Sequence, residues 1–224
     1  MSAAGGKHEF SAEIAHEAQR RLAQQIVFED RLPEKVCLVG GVDAAYEKGM
    51  SIGAAAILNY DSLELVESQT SLTKTSVPYI PTLLSFREIP PTLMSIKKLK
   101  VQPDVFLVDG HGFAHPYRCG YASHLGLVIK RPTIGVAKGK LFGEVDSDET
   151  EKDVCLLKHD GEVIGASVRT LPGREPIFVS VGHMVSLETA IRIVKHCTRG
   201  NRIPEPIMKA HELATQEKRK IHIA

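Results

Sequence analysis

Two stretches of this chain share an uncommon ending. Val36–Asp43 reads VCLVGGVD and Val105–Gly112 reads VFLVDGHG. Each is a strand-length run rich in Val and Leu, each meets an aspartate, and each has glycine close by. Such apolar runs belong to strands buried in the middle of a sheet. A carboxylate at the end of a buried strand needs either a turn to cap or a counter-charge. If the two strands pair, their ends set Asp43 and Asp109 side by side. Two bare carboxylates repel, and keeping them out of water without a partner costs several kcal/mol. A divalent cation is the common remedy. The alternative is that each aspartate caps the turn that follows its strand.

The surrounding pattern is that of one α/β domain over residues 1–224. Ser11–Phe28 reads as an amphipathic helix, capped by Ser11, with Ile14, Ala18, Leu22 and Ile26 on one face. Val36–Tyr46, SIGAAAILNY and ELVESQTSLTK predict three strands in a meander. The proline-framed VPYIP follows, then a helical stretch that Pro90 and Pro91 are expected to break or kink. VFLVD is the fourth strand, YASHLGLVIK a helix and PTIGVAK the fifth strand. An Asp-Gly turn joins VCLLKHD to GEVIGASV as a hairpin, PIFVSVGH is a further strand, and two helices close the chain.

Composition leaves several partners open and removes one. The 28 Lys plus Arg against 27 Asp plus Glu give a net charge of +1, which neither demands nor excludes nucleic acid. No apolar run reaches the ~18 residues of a membrane span, so no membrane partner is expected. MSAAGGKHEF lacks the apolar core of a leader. Cys37, Cys119, Cys155 and Cys197 form no CxxC pair and read as reduced, mostly buried thiols of a cytoplasmic protein. No signal for oligomerisation stands out, which points to a monomer.

Glu88, in LLSFREIPP, lies on the helix between the two aspartates and can supply a third carboxylate. An all-oxygen set of this kind suits Mg²⁺ or Mn²⁺, which bind through few carboxylates and keep several waters. Zinc fits less well, since no His/Cys cluster has its spacing. The bland reading of Glu88 is a solvated pair with Arg87.

Three antiparallel strands followed by helix, strand, helix and strand is the order of the ribonuclease H-like fold, a mixed sheet flanked by helices. The motifs go further. GVDAAY, PYIP…FRE, VDGHGFAHPYRCGYASHLG, IGVAKGKL, FVSVGH and PEPIMKAHELA occur in that order between residues 41 and 214. Together they resemble the endonuclease V family, which incises nucleic acid beside deaminated purines. The resemblance implies that Asp43, Glu88 and Asp109 hold the metal. It implies that His211 ligates a second metal or positions a water, and that Lys138 contacts the scissile phosphate. His115 and Arg118 would line the phosphate track. It further implies cleavage at the second phosphodiester 3′ to the lesion, leaving 3′-hydroxyl and 5′-phosphate ends, as a step of DNA repair.

In that setting Pro78 and Pro81 stiffen a turn that presents Tyr79 and Ile80 as an apolar wedge for the gap left by a flipped base. The alternative is a turn with Tyr79 packed on the core. The flipped hypoxanthine would sit among backbone groups near Thr82, Leu84, Gly110 and Gly112. Two positions depart from the family pattern: Thr82 stands where glycine is frequent, and Met208 where arginine is frequent. The partner is DNA carrying deaminated purines, or RNA. Rival readings are an inosine-specific ribonuclease, a structure-selective nuclease of the same fold, and a catalytically silent binder.

Overall fold

The computed structural model describes residues 11–145 and 153–223. Residues 1–10, on which the expectation about a leader rests, lie outside the described residues. Among the described residues no helix is long and apolar enough to cross a membrane.

The meander forms as the alternation predicts: β1 (Leu38–Glu47), β2 (Met50–Asn59) and β3 (Leu65–Lys74) pair antiparallel. β4 (Val105–Asp109) then joins β1 in parallel, and β5 (Thr133–Ala137) joins β4 in parallel. The Asp-Gly turn closes the hairpin of β7 (Val154–His159) and β8 (Glu162–Val168). Asp160 and Gly161 both have positive φ, 50° and 79°, as that turn requires. This hairpin belongs to the main sheet. β9 (Ile177–His183) pairs antiparallel with both β5 and β8, and two further residues, β6 (Glu144–Val145), extend the far edge. The result is a nine-stranded mixed sheet in the order β3-β2-β1-β4-β5-β9-β8-β7-β6.

Helices cover both faces. α2 (Leu84–Lys98) packs on β2 and β3, and α3 (Tyr121–Ile129) on β9 and β5. α4 (Leu187–His196) lies on β9, and α5 (Glu205–Ile223) crosses β1 and β2. The expected break at Pro90 and Pro91 does not occur, because α2 runs through both. Proline fixes φ near the helical value, but each one removes an N–H and crowds the carbonyl four residues back. Tertiary packing holds the rest: Pro91 sits against Gly53 of β2, and its carbonyl accepts from the Ser71 hydroxyl at 2.5 Å.

α1 (Ala12–Ala23) is shorter than predicted, and it buries a different face. Past Ala23 the chain leaves the helix to dock on the end of β9, where Val27 N donates to His183 Nδ1 (3.2 Å) and Val27 O accepts from Met184 N (2.7 Å). Ile14, on the predicted apolar face, is 72% exposed, while Ala15 and Gln19 are buried. Of the cysteines, Cys37 is exposed and the other three are buried, with none in a disulfide.

Candidate active site

Parallel pairing of β1 and β4 ends with Val42 opposite Val108, so the next residues lie side by side where the two strands part: Asp109 closes β4, while Asp43 sits within β1, which runs on to Glu47 against β2. Neither merely caps a turn. Asp43 Oδ1 accepts from Ala44 N at 2.8 Å, and its Oδ2 lies 2.7 Å from His211 Nδ1. His211 reaches this point because α5 lies directly on β1. Gly41 permits the approach, since a Cβ there would collide with the Pro206 carbonyl. Asp109 Oδ2 accepts from Lys138 Nζ at 2.6 Å, just past the end of β5. One ligand atom each from Asp43, Asp109 and His211 falls within a mutual 4.8 Å.

The electrostatics are those of crowded carboxylates. Burial first, and the charge on Asp109 second, raise the Asp43 carboxyl above its ordinary range, while its hydrogen bond to His211 opposes them. Burial and the charges on Asp43 and Asp109 push Glu88 up to about 8. The Tyr46 phenol is buried beside Glu88, though its hydroxyl makes no hydrogen bond of full geometry. Glu88 thus adjoins the pair but stands outside the 4.8 Å set, and His211 takes the third corner in its stead. The expected solvated pair with Arg87 is also absent: the Arg87 guanidinium stacks over Tyr46 at 4.0 Å and donates to the Val77 carbonyl. Two converging carboxylates and an imidazole, with a third buried carboxyl behind them, fit a divalent cation.

Beside this cluster lies a cavity of about 100 Å³, and Asp109 and Glu88 form part of its wall. Pro81, Thr82 and Leu84 contribute from the 3₁₀ turn Pro81–Leu83 and the start of α2, and Gly110, His111 and His115 from the loop after β4. Tyr79 is 67% exposed at the rim, not packed on the core, with Pro78 and Pro81 exposed around it and Ile80 half-buried.

Several predicted residues are used otherwise. Gly112 does not line the cavity. It is buried against the Val181 carbonyl of β9 and donates to Ser180 Oγ at 2.9 Å, so its glycine serves the approach of protein backbone. His115 is buried, its Nδ1 accepts from Tyr117 N, and it faces the cavity rather than an open track. Arg118 is engaged by Glu162 of β8 at 2.8 Å and lies over Phe113 and Phe142. Met208 lines a separate groove of about 300 Å³ with Lys138, Arg202 and His211. Arg202 also donates to the carbonyls of Lys138 and Pro176.

Three residues of the site carry no signal that sequence reasoning used. Gln19 Nε2 donates to the carbonyls of Thr82 and Cys119, both at 2.9 Å. His16 Nε2 pairs with Thr82 Oγ1 at 2.9 Å and stacks on Tyr117 at 4.1 Å. Thr82 is thus held through its hydroxyl by His16 and through its carbonyl by Gln19. His111 Nε2 lies 3.1 Å from the Gly139 carbonyl, and burial holds its imidazole down to about 4.

A mixed sheet of this order with neighbouring aspartates in β1 and at the end of β4 defines a ribonuclease H-like enzyme. The Endonuclease V family profile matches residues 20–212, and the chain belongs to that family. Endonuclease V of Thermofilum pendens is 45% identical over 207 residues, covering 92% of this chain and 88% of that protein. The crystal structure of the Streptomyces avermitilis Endonuclease V superposes with a TM-score of 0.88 at 33% identity, over 96% of each chain. That of the Ciona intestinalis Endonuclease V, in complex with a 24-mer DNA containing an inosine followed by a ribo-adenosine, gives 0.86 at 37% identity, over 94% of this chain and 100% of that one. The protein is accordingly a nuclease, a hydrolase of phosphodiesters.

Proposed function

We propose that this protein is a divalent-metal-dependent endonuclease acting 3′ to deaminated purines, in DNA repair. The observation that carries the reading is that one residue, Asp109, belongs both to the carboxylate cluster and to the wall of the neighbouring cavity. A base seated in the cavity thereby brings its own strand across the cluster. Asp43, Asp109 and His211 would hold the cation, with Glu88 adding charge from behind. Mg²⁺, with Mn²⁺ as substitute, supplies Lewis-acid activation of water and phosphate. Lys138, 48% exposed and anchored on Asp109, stands ready to neutralise charge on the phosphate. Tyr79, with Ile80 between its prolines, fills the gap in the stack. The bond cut is the second phosphodiester 3′ to the lesion, leaving 3′-hydroxyl and 5′-phosphate. The protein works as one domain over residues 1–224, monomeric and cytoplasmic.

A second reading, cleavage of inosine in RNA, has in its favour the ribo-adenosine that follows inosine in the Ciona complex. One experiment tests both. Matched inosine-containing duplex DNA, single-stranded DNA and single-stranded RNA are incubated with the protein and Mg²⁺, and the ends are mapped. The expected result is a single cut at the second 3′ linkage, absent with chelator. Cleavage that follows strand junctions and ignores inosine would replace this reading with a structure-selective nuclease. No cleavage of any substrate would leave a binder.

A further inference from the structure

Gln19 is completely buried, and it is the α1 residue that touches both backbone walls of the cavity. Its amide is oriented without ambiguity. Both neighbours at 2.9 Å are carbonyl oxygens, so the nitrogen must face them and both of its hydrogens are used. Oε1 is left shielded from water with no partner. A buried acceptor without a donor is costly, and each such group in a folded protein calls for an explanation. His111 adds a second atom of the same kind to the same cavity. Its Nε2 faces the Gly139 carbonyl and so carries the proton, which leaves Nδ1 as a buried, unpartnered lone pair. The unpaired side-chain atoms of this cavity are therefore acceptors, and the ligand they fit must bring N–H.

Purines differ in this respect at N1. Hypoxanthine has a lactam, with hydrogen on N1 and oxygen on C6. Adenine has a bare lone pair on N1. Resting on the proposed function, we propose that Gln19 is a specificity-determining residue whose Oε1 accepts the lactam N1–H of the flipped base. Adenine seated the same way sets lone pair against lone pair. Guanine carries the same N–H, so Gln19 separates hypoxanthine from adenine and not from guanine. The two donor contacts of the amide have a definite part in this: they hold Thr82 and Cys119 at fixed separation and thereby aim Oε1.

The test uses two single-stranded DNA substrates with Mg²⁺, one carrying deoxyinosine and one carrying deoxynebularine at the same position. Nebularine keeps the purine ring but has a bare N1 and hydrogen at C6. The wild-type protein is expected to cut the deoxyinosine strand at least tenfold faster. In Gln19→Met, which keeps length and removes the acceptor, the deoxyinosine rate is expected to fall about tenfold to a hundredfold. The deoxynebularine rate should also fall, through the lost ties to Thr82 and Cys119, but at least about fivefold less than the deoxyinosine rate, since that base never used the acceptor. Equal losses on both substrates would make Gln19 a wall tie only and overturn the proposal. The wild-type comparison holds even where the variant fails to fold: equal wild-type rates overturn the proposal on their own. A wild-type protein that leaves deoxyinosine uncut is a different failure, that of the proposed function itself.

Discussion

The acidic cluster and the cavity meet at Asp109 and are made of opposite materials. The cluster gathers ionisable side chains from within β1, the end of β4 and α5, all on rigid elements. The cavity takes its wall from the turn at Pro81–Leu83 and the loop after β4 as well as from α1, α2 and α3, and apart from Glu88 and Asp109 its polar groups are backbone and neutral side chains such as Gln19 and His111. A phosphate needs charge, and charge tolerates small errors of position because it acts over several ångströms. A neutral heterocycle needs hydrogen bonds, which fail within half an ångström. The cavity therefore carries more ties per residue: Thr82 alone is held through its hydroxyl by His16 and through its carbonyl by Gln19.

That contrast can be broken by substitution. Asp109→Ala removes the shared residue, and cleavage is expected to fall below detection while the protein stays folded and still binds an inosine-containing strand. Turnover close to wild type, measured in Mg²⁺, would separate the cluster from the chemistry. Tyr79→Ala strikes only the cavity side. Base–aromatic stacking is worth roughly 1–3 kcal/mol, so duplex inosine DNA should bind up to about a hundredfold more weakly. Single strands should lose less, and the melting temperature should hardly move because Tyr79 is exposed. A destabilised variant with uniformly poor binding would return Tyr79 to the core.

The smallest effect concerns pH and the metal-free protein. Glu88 is raised from about 4.5 to about 8 in the folded state, so the native protein binds a proton that the unfolded chain has released. Stability contributed by that proton is present at low pH and is lost as pH rises towards 8, with Asp43 acting in the same direction. The buried imidazoles of His111, His115 and His124, held at about 4, have the opposite slope, which fades above about 6.5. Between pH 6.5 and 8 the loss from Glu88 exceeds the remaining gain from these imidazoles, and the chelated protein should lose stability by less than about 1 kcal/mol. Glu88→Gln should flatten this slope, as should Mg²⁺, which neutralises the cluster. Denaturant midpoints at the two pH values measure it. A metal-free protein whose stability rises across that window would remove Glu88 from the field of the two aspartates.

Legibility from sequence follows the same division. Asp43 and Asp109 stood out because a charge that ends a buried strand is conspicuous in a one-dimensional string. The meander, β4, β5 and the Asp-Gly hairpin were readable for a similar reason, since apolar runs and turn chemistry are local. That His211 comes within 4.8 Å of both aspartates, while Glu88 adjoins them from behind, was not readable from spacing, because the approach of α5 to Gly41 is a matter of tertiary contact. Gln19 escaped notice altogether. It lies off the apolar stripe of Ile14, Ala18, Leu22 and Ile26, and periodicity assigns such a residue to solvent. What buries it is the turn at Thr82 and the loop at Cys119, 63 and 100 residues away. Arg118, which the resemblance assigns to the phosphate track, is paired with Glu162 of β8 in the structure, a partner that no local pattern announces.

The hydrogen bond between Asp43 and His211 joins residues 168 positions apart, and the second of them sits on the last helix. During synthesis Asp43, Glu88 and Asp109 leave the ribosome long before His211 does. Until α5 docks over Gly41, the chain carries carboxylates that repel one another and phosphates alike, with the third corner of the cluster missing. The site is thus a product of the finished tertiary fold, and a chain that has made its sheet but not seated α5 has the acids without the enzyme.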